Sequence, residues 1–416
     1  LTLSRRVSSK ETTAAAITVQ AAGRGKPYFN LQDGRKARVD YRGDSGLAYA
    51  LQNGAARALA LASADFDQNG TPDVVAGYAF NGAGMVTIQR GNPDAFAPAD
   101  DSVFVRMQQG YNPDSLLPVA DIYQVPVSAD FLVAGNFTKD SEKDVLVAAK
   151  DGGLYLLTGD GSGGLSIPQQ ITLPGPVTAL AAGEFRAVDG LTDVAVGVSG
   201  PSGHLLVIFD GAGAGLSEAL GEYQLAEPAS AVEFGGLDDD PFLDIAVAAG
   251  SEVLVVHGWG RKEQVGPASR VERINVGPGL RGLALGEFVW DRQGRSEIAA
   301  MTSDGTVHVV GNEKLDIRPF SEAEAAERTR GKLTPTGTRS QDVESVPSWR
   351  SGNAAGWSEA SSFAAVSSAS TKPLLRTNLS YRETDDLMLI SDSQPKIEIV
   401  RRTGPNDKAT DQLSAA

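Results

Sequence analysis

The sequence predicts an all-β fold, a β-propeller built from four-stranded antiparallel blades. Three observations carry this prediction: a repeat of about 50 residues, four short strand-like segments in each copy, and turn residues between those segments. Because one such unit cannot bury both of its faces, neighbouring units must pack side by side. An array of separate β-sandwich domains is the alternative, but each sandwich needs about 100 residues.

Each copy of the repeat contains an aromatic residue or a leucine that follows a short apolar strand and precedes an acidic loop. Five copies are clear and a sixth is weaker; these anchor residues are Phe66, Phe137, Phe185, Leu237, Phe288 and Leu379. The first and the last intervals between anchors are longer than the others and indicate insertions. We predict seven blades, of which six are visible in the sequence and one is completed by the N-terminal segment.

The third copy shows the four strands of a blade best. Residues 177–185 form the first predicted strand, and 193–198 are a near-continuous apolar run, typical of a strand that is buried on both faces. The third strand is predicted at 204–210. After a glycine-rich turn, 220–225 alternate as an outer strand. The same pattern predicts further outer strands at 122–127, 170–173 and 271–276.

Outside the clear copies, composition defines the remaining segments. Residues 1–50 form an N-terminal segment that we expect to contribute to ring closure, and 51–320 hold the main blades. Residues 321–372 are predicted to be an insertion that starts with the helix-like SEAEAAERTR and continues as a Ser/Thr/Gly-rich loop. A degenerate final blade at 373–401 and a tail at 402–416 complete the chain.

Charge and composition exclude several functions. The chain has 37 Lys+Arg against 52 Asp+Glu, a net charge of −15, which argues against nucleic acid or an anionic membrane as partner. No apolar run reaches the roughly 18 residues of a membrane span. The absence of cysteine excludes disulfides, cysteine-based zinc sites and thiol catalysis. Because the sequence starts at Leu1 without a signal-peptide pattern, we expect it to be a piece of a longer precursor.

The loop of the first copy has the strongest metal-binding pattern. Asp65, Asp67, Asn69 and Asp73 place oxygen side chains at the first, third, fifth and ninth positions, with a glycine at the sixth. Calcium takes six to eight oxygen ligands, and alternate spacing turns successive carboxylates inward. The backbone carbonyl of Thr71 would add another ligand. The loop is not an EF-hand, because Ala76 stands where the bidentate glutamate belongs.

Two other loops offer weaker versions of this pattern. The candidate ligands are Asn136, Thr138, Asp140 and Asp144 in the second copy, and Asp238, Asp240 and Asp244 in the fourth, where Gly236 replaces the first ligand. We expect the other three loops to have lost the metal, since they carry Arg186, a Glu297 ending or Arg382. The alternative for every loop is an Asx-turn hairpin that is acidic only for solubility.

The motif Asp-Phe-Asp-x-Asn-Gly-x-x-Asp-Val-Val at 65–75 and the Ala-Gly-x-Phe runs at 134–137 and 182–185 resemble the FG-GAP/VCBS repeats of integrin α-subunit-like β-propellers. The resemblance covers about residues 57–310 and 373–401 and is closest to bacterial secreted or surface members. It implies seven blades, and calcium in loops such as that of Asp65, Asp67, Asn69, Thr71 and Asp73. It also implies a role in adhesion, ligand binding or scaffolding.

Nothing in the sequence indicates catalysis. His204, His257 and His308 all lie in predicted third strands, but at different offsets, so we interpret them as isolated strand residues. No nucleophile elbow, zinc-protease motif or phosphate loop is present. Paired carboxylates for glycosidase chemistry cannot be located among so many acidic residues.

These observations favour a non-enzymatic, calcium-stabilised propeller that binds or scaffolds other proteins at an extracytoplasmic site, whether secreted, periplasmic or on the cell surface. A lectin-like propeller that binds a glycan is an alternative. Its aromatic candidates do not recur once per blade; they are Trp259, Trp290, Trp349 and Trp357. A second alternative is an accessory domain of a polysaccharide-degrading enzyme.

Overall fold

The computed structural model divides the chain into two compact units, one formed by Asp33–Phe234 with Gly258–Glu263 and the other by Leu1–Gln32, Gly235–His257 and Gln264–Ala416. The structure describes residues 18–21, 39–96, 98, 100–150, 152–186, 190–211, 216–238, 242–259, 271–290, 296–312, 318, 320–324, 326, 356–364, 371–378, 384–391 and 396–400. Of the sequence-based candidates, Asp240, Trp349, Leu379 and Arg382 lie outside this part of the chain.

The described part of the chain is built mainly from short strands, with three helices near its beginning. In chain order the elements are β1 (Thr18–Ala21), β2 (Asp40–Arg42), α1 (Ser45–Gln52), β3 (Arg57–Ala64), β4 (Asp73–Phe80), β5 (Ala83–Gly91), α2 (Pro93–Phe96), α3 (Asp101–Gln108), β6 (Leu116–Val125), β7 (Phe131–Gly135), β8 (Asp144–Ala148), β9 (Leu154–Leu157), β10 (Gln169–Ile171), β11 (Val177–Gly183), β12 (Asp193–Gly200), β13 (Gly203–Phe209), β14 (Ala219–Leu225), β15 (Ala229–Gly235), β16 (Asp244–Ala249), β17 (Glu252–Val256), β18 (Val271–Asn275), β19 (Leu280–Gly286), β20 (Glu297–Thr302), β21 (Thr306–Asn312), β22 (Trp357–Ala364), β23 (Thr371–Thr377), β24 (Asp386–Ser391) and β25 (Lys396–Val400).

The strands of the described residues form six consecutive sheets, which are the blades of a β-propeller. The first blade has the order β2-β6-β5-β4-β3, and the second to fifth are β7–β10, β11–β14, β15–β18 and β19–β22. The sixth blade has the order β1-β25-β24-β23. Within the blades, consecutive strands pair antiparallel, as the register of β12 with β13 and of β13 with β14 illustrates. The predicted fold class is therefore confirmed.

The described strands of the N-terminal segment join existing blades. β1 pairs in parallel with β25, and β2 pairs in parallel with β6. β6 is the fourth strand of the first blade, whereas β25 is the third strand of the sixth blade, so β1 supplies the fourth strand of that blade. In both cases the free backbone groups of an edge accept one more strand. Instead of the seventh blade that we expected residues 1–50 to complete, the described residues form six sheets, with this segment extending the first and the last.

The two long intervals of the repeat have different structures. In the first, α2 and α3 lie between β5 and β6, and Asp100 caps α3 by accepting the Ser102 N–H. In the second, Trp357–Ala364 is not loop but β22, paired antiparallel with β21. The Ser/Thr/Gly-rich insertion predicted at 321–372 therefore contains an outer strand. Composition alone missed it, because Ser and Ala are weak strand formers whose pairing is decided by the neighbouring strand.

Within each unit, apolar clusters join neighbouring sheets, and the second and third strands supply most of their residues. Every residue of β8, β16 and β20 is buried, as their near-continuous apolar sequences predict. The anchor residues are buried too: Phe66, Phe137, Phe185, Leu237 and Phe288 are each at most 4% exposed. Among the described residues, no helix is long and apolar enough to cross a membrane.

Candidate metal centres in the blade loops

A buried acidic residue opens the second strand of each of the first five blades and accepts a backbone hydrogen bond from the loop that precedes it. The donors are the anchor residues, or the residue after the anchor in the fifth blade. The pairs are Phe66–Asp73 (2.9 Å), Phe137–Asp144 (2.8 Å), Phe185–Asp193 (2.8 Å), Leu237–Asp244 (2.7 Å) and Val289–Glu297 (2.8 Å). All five acids are at most 2% exposed. Their shared role is to hold the loop against the strand.

In the first three blades the same carboxylate also holds the end of the third strand. The N–H groups of Gly91, Gly159 and Gly211 donate to Oδ1 of the buried aspartates at 2.8–2.9 Å. A Cβ on any of these glycines would lie 2.5–2.6 Å from the carbonyl oxygen of the residue before the aspartate. Only glycine fits this approach. The structural role of these glycines was not predicted, although each follows its aspartate by 15 or 18 residues.

The first loop gathers three of its predicted ligands. One carboxylate oxygen from each of Asp65, Asp67 and Asp73 lies within 4.8 Å of the other two. Asp67 Oδ1 is buried and no hydrogen bond reaches it. Burial, and secondly the Asp73 carboxylate, raise the pKa of Asp67, because both disfavour its charged form. A carboxylate oxygen that is buried among like charges fits a bound cation.

Another candidate of this loop, Asn69, bonds to the loop's own backbone. Asn69 Oδ1 accepts the Thr71 N–H at 2.8 Å, and Thr71 is buried. Asp65 accepts the N–H groups of Asn69 and Gly70 at 3.0 and 2.7 Å, and Gly70 has a φ of +83°. The loop is therefore closed by its own hydrogen bonds, and the Asx-turn alternative describes this part of it.

A basic side chain already stands beside the first loop. Arg90 Nη1 lies 3.1 Å from Asp73 Oδ2, and its side chain is only 15% exposed. Its Nη2 donates to the carbonyl of Gly163 in the second blade. The guanidinium therefore supplies one positive charge to a group of three carboxylates, which leaves an excess of negative charge for a cation to neutralise.

The second loop uses its candidate ligands to bond to each other and to the third blade. The Thr138 hydroxyl donates toward Asp140 Oδ1 (2.8 Å) and Asp144 Oδ2 (3.1 Å). The Asn136 side chain donates to the Gly190 carbonyl, and its backbone pairs with Thr192. Burial raises the pKa of Asp144 even though two backbone N–H groups donate to it. Asn136 thus connects two blades, and this loop brings together fewer carboxylates than the first.

In the third loop, which we expected to have lost the metal, the Arg186 side chain supplies a positive charge. Arg186 Nη1 lies 3.2 Å from Asp210 Oδ2, and the guanidinium lies 5.8 Å from the centre of the Trp259 ring. The Arg186 backbone N–H donates to the buried Asp193 at 3.0 Å. The side chain thus places a positive charge in a loop that has two buried or half-buried carboxylates.

The fourth loop brings a histidine to its predicted ligands. His257 Nδ1 lies 3.1 Å from both Asp238 Oδ2 and Asp244 Oδ1, and its Nε2 lies 3.6 Å from Glu272 Oε1. His257 is 4% exposed. Burial alone would lower its pKa, but hydrogen bonds to Asp238, Asp244 and Glu272 outweigh it and raise the pKa to about 11. The interpretation of His257 as an isolated strand residue is therefore wrong.

The other histidines and the tryptophans have local partners. His204 Nδ1 lies 2.8 Å from the Ser199 hydroxyl, and His308 Nδ1 lies 2.9 Å from Glu359. Trp259 is buried against Phe185, and Trp290 packs edge-on against Phe320. None of the described tryptophans is among the exposed large apolar residues, so no observation favours the lectin alternative.

A groove of about 490 Å³ lies between the outer strand of the first blade and a hairpin of the second. Alternate residues of β6 face it, namely Leu117, Val119, Asp121 and Tyr123, while Asp160 and Gly164 line the hairpin side. Leu117 and Val119 are 37% and 39% exposed. Arg42 on β2 forms two hydrogen bonds with Asp121, at 2.5 and 2.8 Å, at the rim.

No protein-family model matches the sequence, and no curated protein sequence matches it. Three solved structures illustrate the similarities in structure. The first is BBS1N in complex with ARL6DN, soaked with lead, with 11% identity, a TM-score of 0.45, and coverage of 86% of this chain and 81% of that one. An active polycomb repressive complex 2 in the basal state shows 10% identity, a TM-score of 0.45, and 86% and 68% coverage.

The third is Sqt1 from Chaetomium thermophilum, with 19% identity, a TM-score of 0.38, and coverage of 60% of this chain and 55% of that one. These values provide no residue correspondence for the blade loops or the groove.

Proposed function

We propose that this chain is a non-enzymatic, calcium-stabilised β-propeller that binds a protein partner at an extracytoplasmic site. The observation that carries the binding role is the groove beside β6. It combines an exposed apolar strip, formed by Leu117 and Val119, with an ion pair between Arg42 and Asp121. Apolar contacts flanked by paired charges are typical of surfaces that bind a protein segment.

The insertion that leads into β6 supports the same role. Phe96 in α2 and Phe104 and Val105 in α3 are 48–53% exposed. α3 buries Val103, so its inner side is already used for packing. We propose that these exposed apolar side chains add to the binding surface.

The proposed role of calcium is to fix the first blade loop. Asp65, Asp67 and Asp73 are the residues that would hold the ion, which would supply positive charge to a group that Arg90 only partly neutralises. Asp73 also connects the loop to the third strand. Binding an ion to the folded loop but not to the unfolded chain raises stability by mass action.

The proposal that the chain is not an enzyme rests on how its buried acids are used. Asp73, Asp144 and Asp193 each accept backbone hydrogen bonds from two segments of their blade, which leaves these carboxylates in structural roles. Incubation with a panel of uronate-containing and neutral polysaccharides should give no new reducing ends or unsaturated products. Turnover above that of a heat-denatured sample would refute this part of the proposal.

The binding role is tested by placing a photo-crosslinking amino acid at position 119 of the full chain and exposing it to proteins of the source organism. A discrete crosslinked partner is expected, and the Leu117→Asp substitution should abolish it because a charge would be buried in the interface. The matched control is Leu61→Asp on β3, where the side chain is 73% exposed. If position 119 gives no partner, or if Leu61→Asp weakens crosslinking as much as Leu117→Asp does, the groove is not the binding site.

The extracytoplasmic location is proposed from the lack of cysteine and from the resemblance to secreted repeats, together with the acidic loops that suit millimolar calcium outside cells. Fractionation of cells that express the tagged full-length gene should place the protein outside the inner membrane. Recovery in the cytoplasmic fraction would contradict the location and leave the binding groove untouched.

A further inference from the structure

The loop of the fourth blade contains a second kind of candidate metal centre. It consists of His257 with Asp238 and Asp244, from which one ligand atom each lies within 4.8 Å of the other two. Asp238 follows the anchor Leu237, Asp244 opens β16, and His257 directly follows β17. Adjacent antiparallel strands bring the last two residues together, since Ile245 pairs with Val256.

A third carboxylate lies on the far side of the imidazole. Glu272 Oε1 lies 3.6 Å from His257 Nε2, and Glu272 Oε2 accepts the Trp357 indole N–H. If a metal ion replaced the proton on Nδ1, the remaining Nε2–H would face Glu272 and the Nδ1 lone pair would face the ion between Asp238 and Asp244. Histidines that bind metals commonly have a carboxylate beside their second ring nitrogen.

The geometry around Nδ1 fits a small divalent ion. Nδ1 lies 3.1 Å from one oxygen of Asp238 and 3.1 Å from one oxygen of Asp244. Ligand atoms about 2.0–2.1 Å from a tetrahedral zinc ion lie roughly 3.3 Å from each other. Asp244 Oδ2 is held by the Leu237 N–H at 2.7 Å, so Oδ1 is fixed toward the ring.

Electrostatics favour a cation between the ring nitrogen and the two carboxylates. A bare lone pair between two carboxylates is repulsive, and either a proton or a metal ion between them removes the repulsion. Of the four side chains alone, a protonated histidine balances one of three negative charges, whereas a divalent ion on a neutral histidine balances two. The 4% exposure of His257 increases the difference, because buried excess charge is strongly unfavourable.

We propose that His257, Asp238 and Asp244 bind a borderline divalent transition metal such as Zn²⁺, with Glu272 positioning the imidazole. Calcium is not the expected ion here, since it takes oxygen ligands whereas imidazole suits Zn²⁺ and its neighbours. This site uses residues different from those of the calcium loop, and it does not depend on the proposed binding role. It replaces the prediction of an all-oxygen calcium site at Asp238, Asp240 and Asp244.

The test is titration of the metal-stripped full chain with Zn²⁺ by calorimetry, together with the visible spectrum of the Co²⁺ complex. One equivalent should bind, and Co²⁺ should give the absorption bands of a nitrogen- and oxygen-ligated ion. His257→Gln should weaken binding at least tenfold, and Glu272→Gln about tenfold, the range found for groups behind a ligand. Calcium in millimolar excess should not displace Zn²⁺.

His308→Gln is the matched control, because His308 also contacts a glutamate, at 2.9 Å, but lies outside the cluster. It should bind Zn²⁺ like the unaltered chain. Asp238→Asn serves if His257→Gln does not fold, since Asp238 is a loop residue with 19% side-chain exposure. Absence of Zn²⁺ binding, equal binding by both histidine variants, or full retention in Asp238→Asn would each overturn the proposal.

Discussion

Replacing Asp144 by alanine removes the carboxylate that joins three segments of the second blade. Its Oδ2 accepts the Phe137 N–H at 2.8 Å and the Thr138 hydroxyl at 3.1 Å, and its Oδ1 accepts the Gly159 N–H at 2.9 Å. Asp144 is fully buried. The substitution therefore leaves two backbone N–H groups without their hydrogen-bond acceptor.

The expected loss follows from these contacts. Each buried donor that loses its partner costs about 1–3 kcal/mol, so the two N–H groups together give about 2–6 kcal/mol. Part of this is offset, because burial raises the pKa of Asp144 and its removal relieves the unfavourable burial of a charge. We expect a net destabilisation of about 3 kcal/mol. Asp144→Asn, which keeps one oxygen acceptor, should lose roughly half as much.

Urea unfolding of the full chain, followed by tryptophan fluorescence and far-UV circular dichroism, measures these losses. The control is Asp160→Ala in the nearby hairpin, where the side chain caps its own turn through Ser162 and Gly164. This exposed turn should contribute less than about 1 kcal/mol. A loss below 1 kcal/mol for Asp144→Ala would refute the structural role. A loss that appears only in calcium-containing buffer would show that Asp144 acts through a bound ion.

Four further predictions concern the first blade loop, the closely packed Gly159 and the half-buried Glu233 of β15. Chelation of calcium with EDTA should lower the thermal unfolding midpoint of the chain. The midpoint of Asp67→Asn should no longer depend on EDTA, whereas that of the control Asp140→Asn should still fall. A midpoint of the unaltered chain that EDTA leaves unchanged would contradict calcium binding. Arg90→Gln should lower the stability of the metal-free protein but increase its calcium affinity about tenfold, because the positive charge that competes with calcium beside Asp73 is removed. Calorimetry measures this affinity, and an unchanged value would contradict the prediction. Gly159→Ala should destabilise by about 1–3 kcal/mol in urea unfolding, since a Cβ would meet a backbone carbonyl at 2.6 Å, and a neutral effect would contradict the close approach. Burial raises the pKa of Glu233 to about 7 from 4.5, so the folded chain binds this proton more tightly than the unfolded chain does. The chain therefore loses stability as the pH rises from 4.5 through 7. Glu233→Gln should be about 1–3 kcal/mol more stable than the unaltered chain at pH 8 and equally stable at pH 4, and thermal melts at both pH values would show this difference.

Local sequence patterns predicted the fold class and most of the blade strands. The near-continuous apolar run at 193–198 and the alternating one at 220–225 correspond to β12 and β14, because the periodicity reports directly which faces are covered. β22 was missed, since its Ser- and Ala-rich sequence has no strong preference and becomes a strand only by pairing with β21.

The candidate site was only partly predictable for a related reason. Oxygen side chains at alternate positions identified Asp65, Asp67 and Asp73, which do come together. The sequence could not show that Asp73 and Asp144 also hold the third strand through glycines 15 or 18 residues away, because that contact is made across the sheet. The spacing between Asp244 and His257 carries no signal of their contact until the register of β16 and β17 is known.

The sequence by itself therefore determined the repeat, the order of strands within a blade and the loops in which negative charge accumulates. These are properties of short stretches, where side-chain period and turn residues act on their immediate neighbours. The tertiary structure alone decided which carboxylates hold backbone, which gather around a possible ion, and which face a histidine. Those choices depend on strand pairing that joins residues distant in the chain, and on burial, which makes an unbalanced charge or an unsatisfied N–H group unfavourable enough to select the partner.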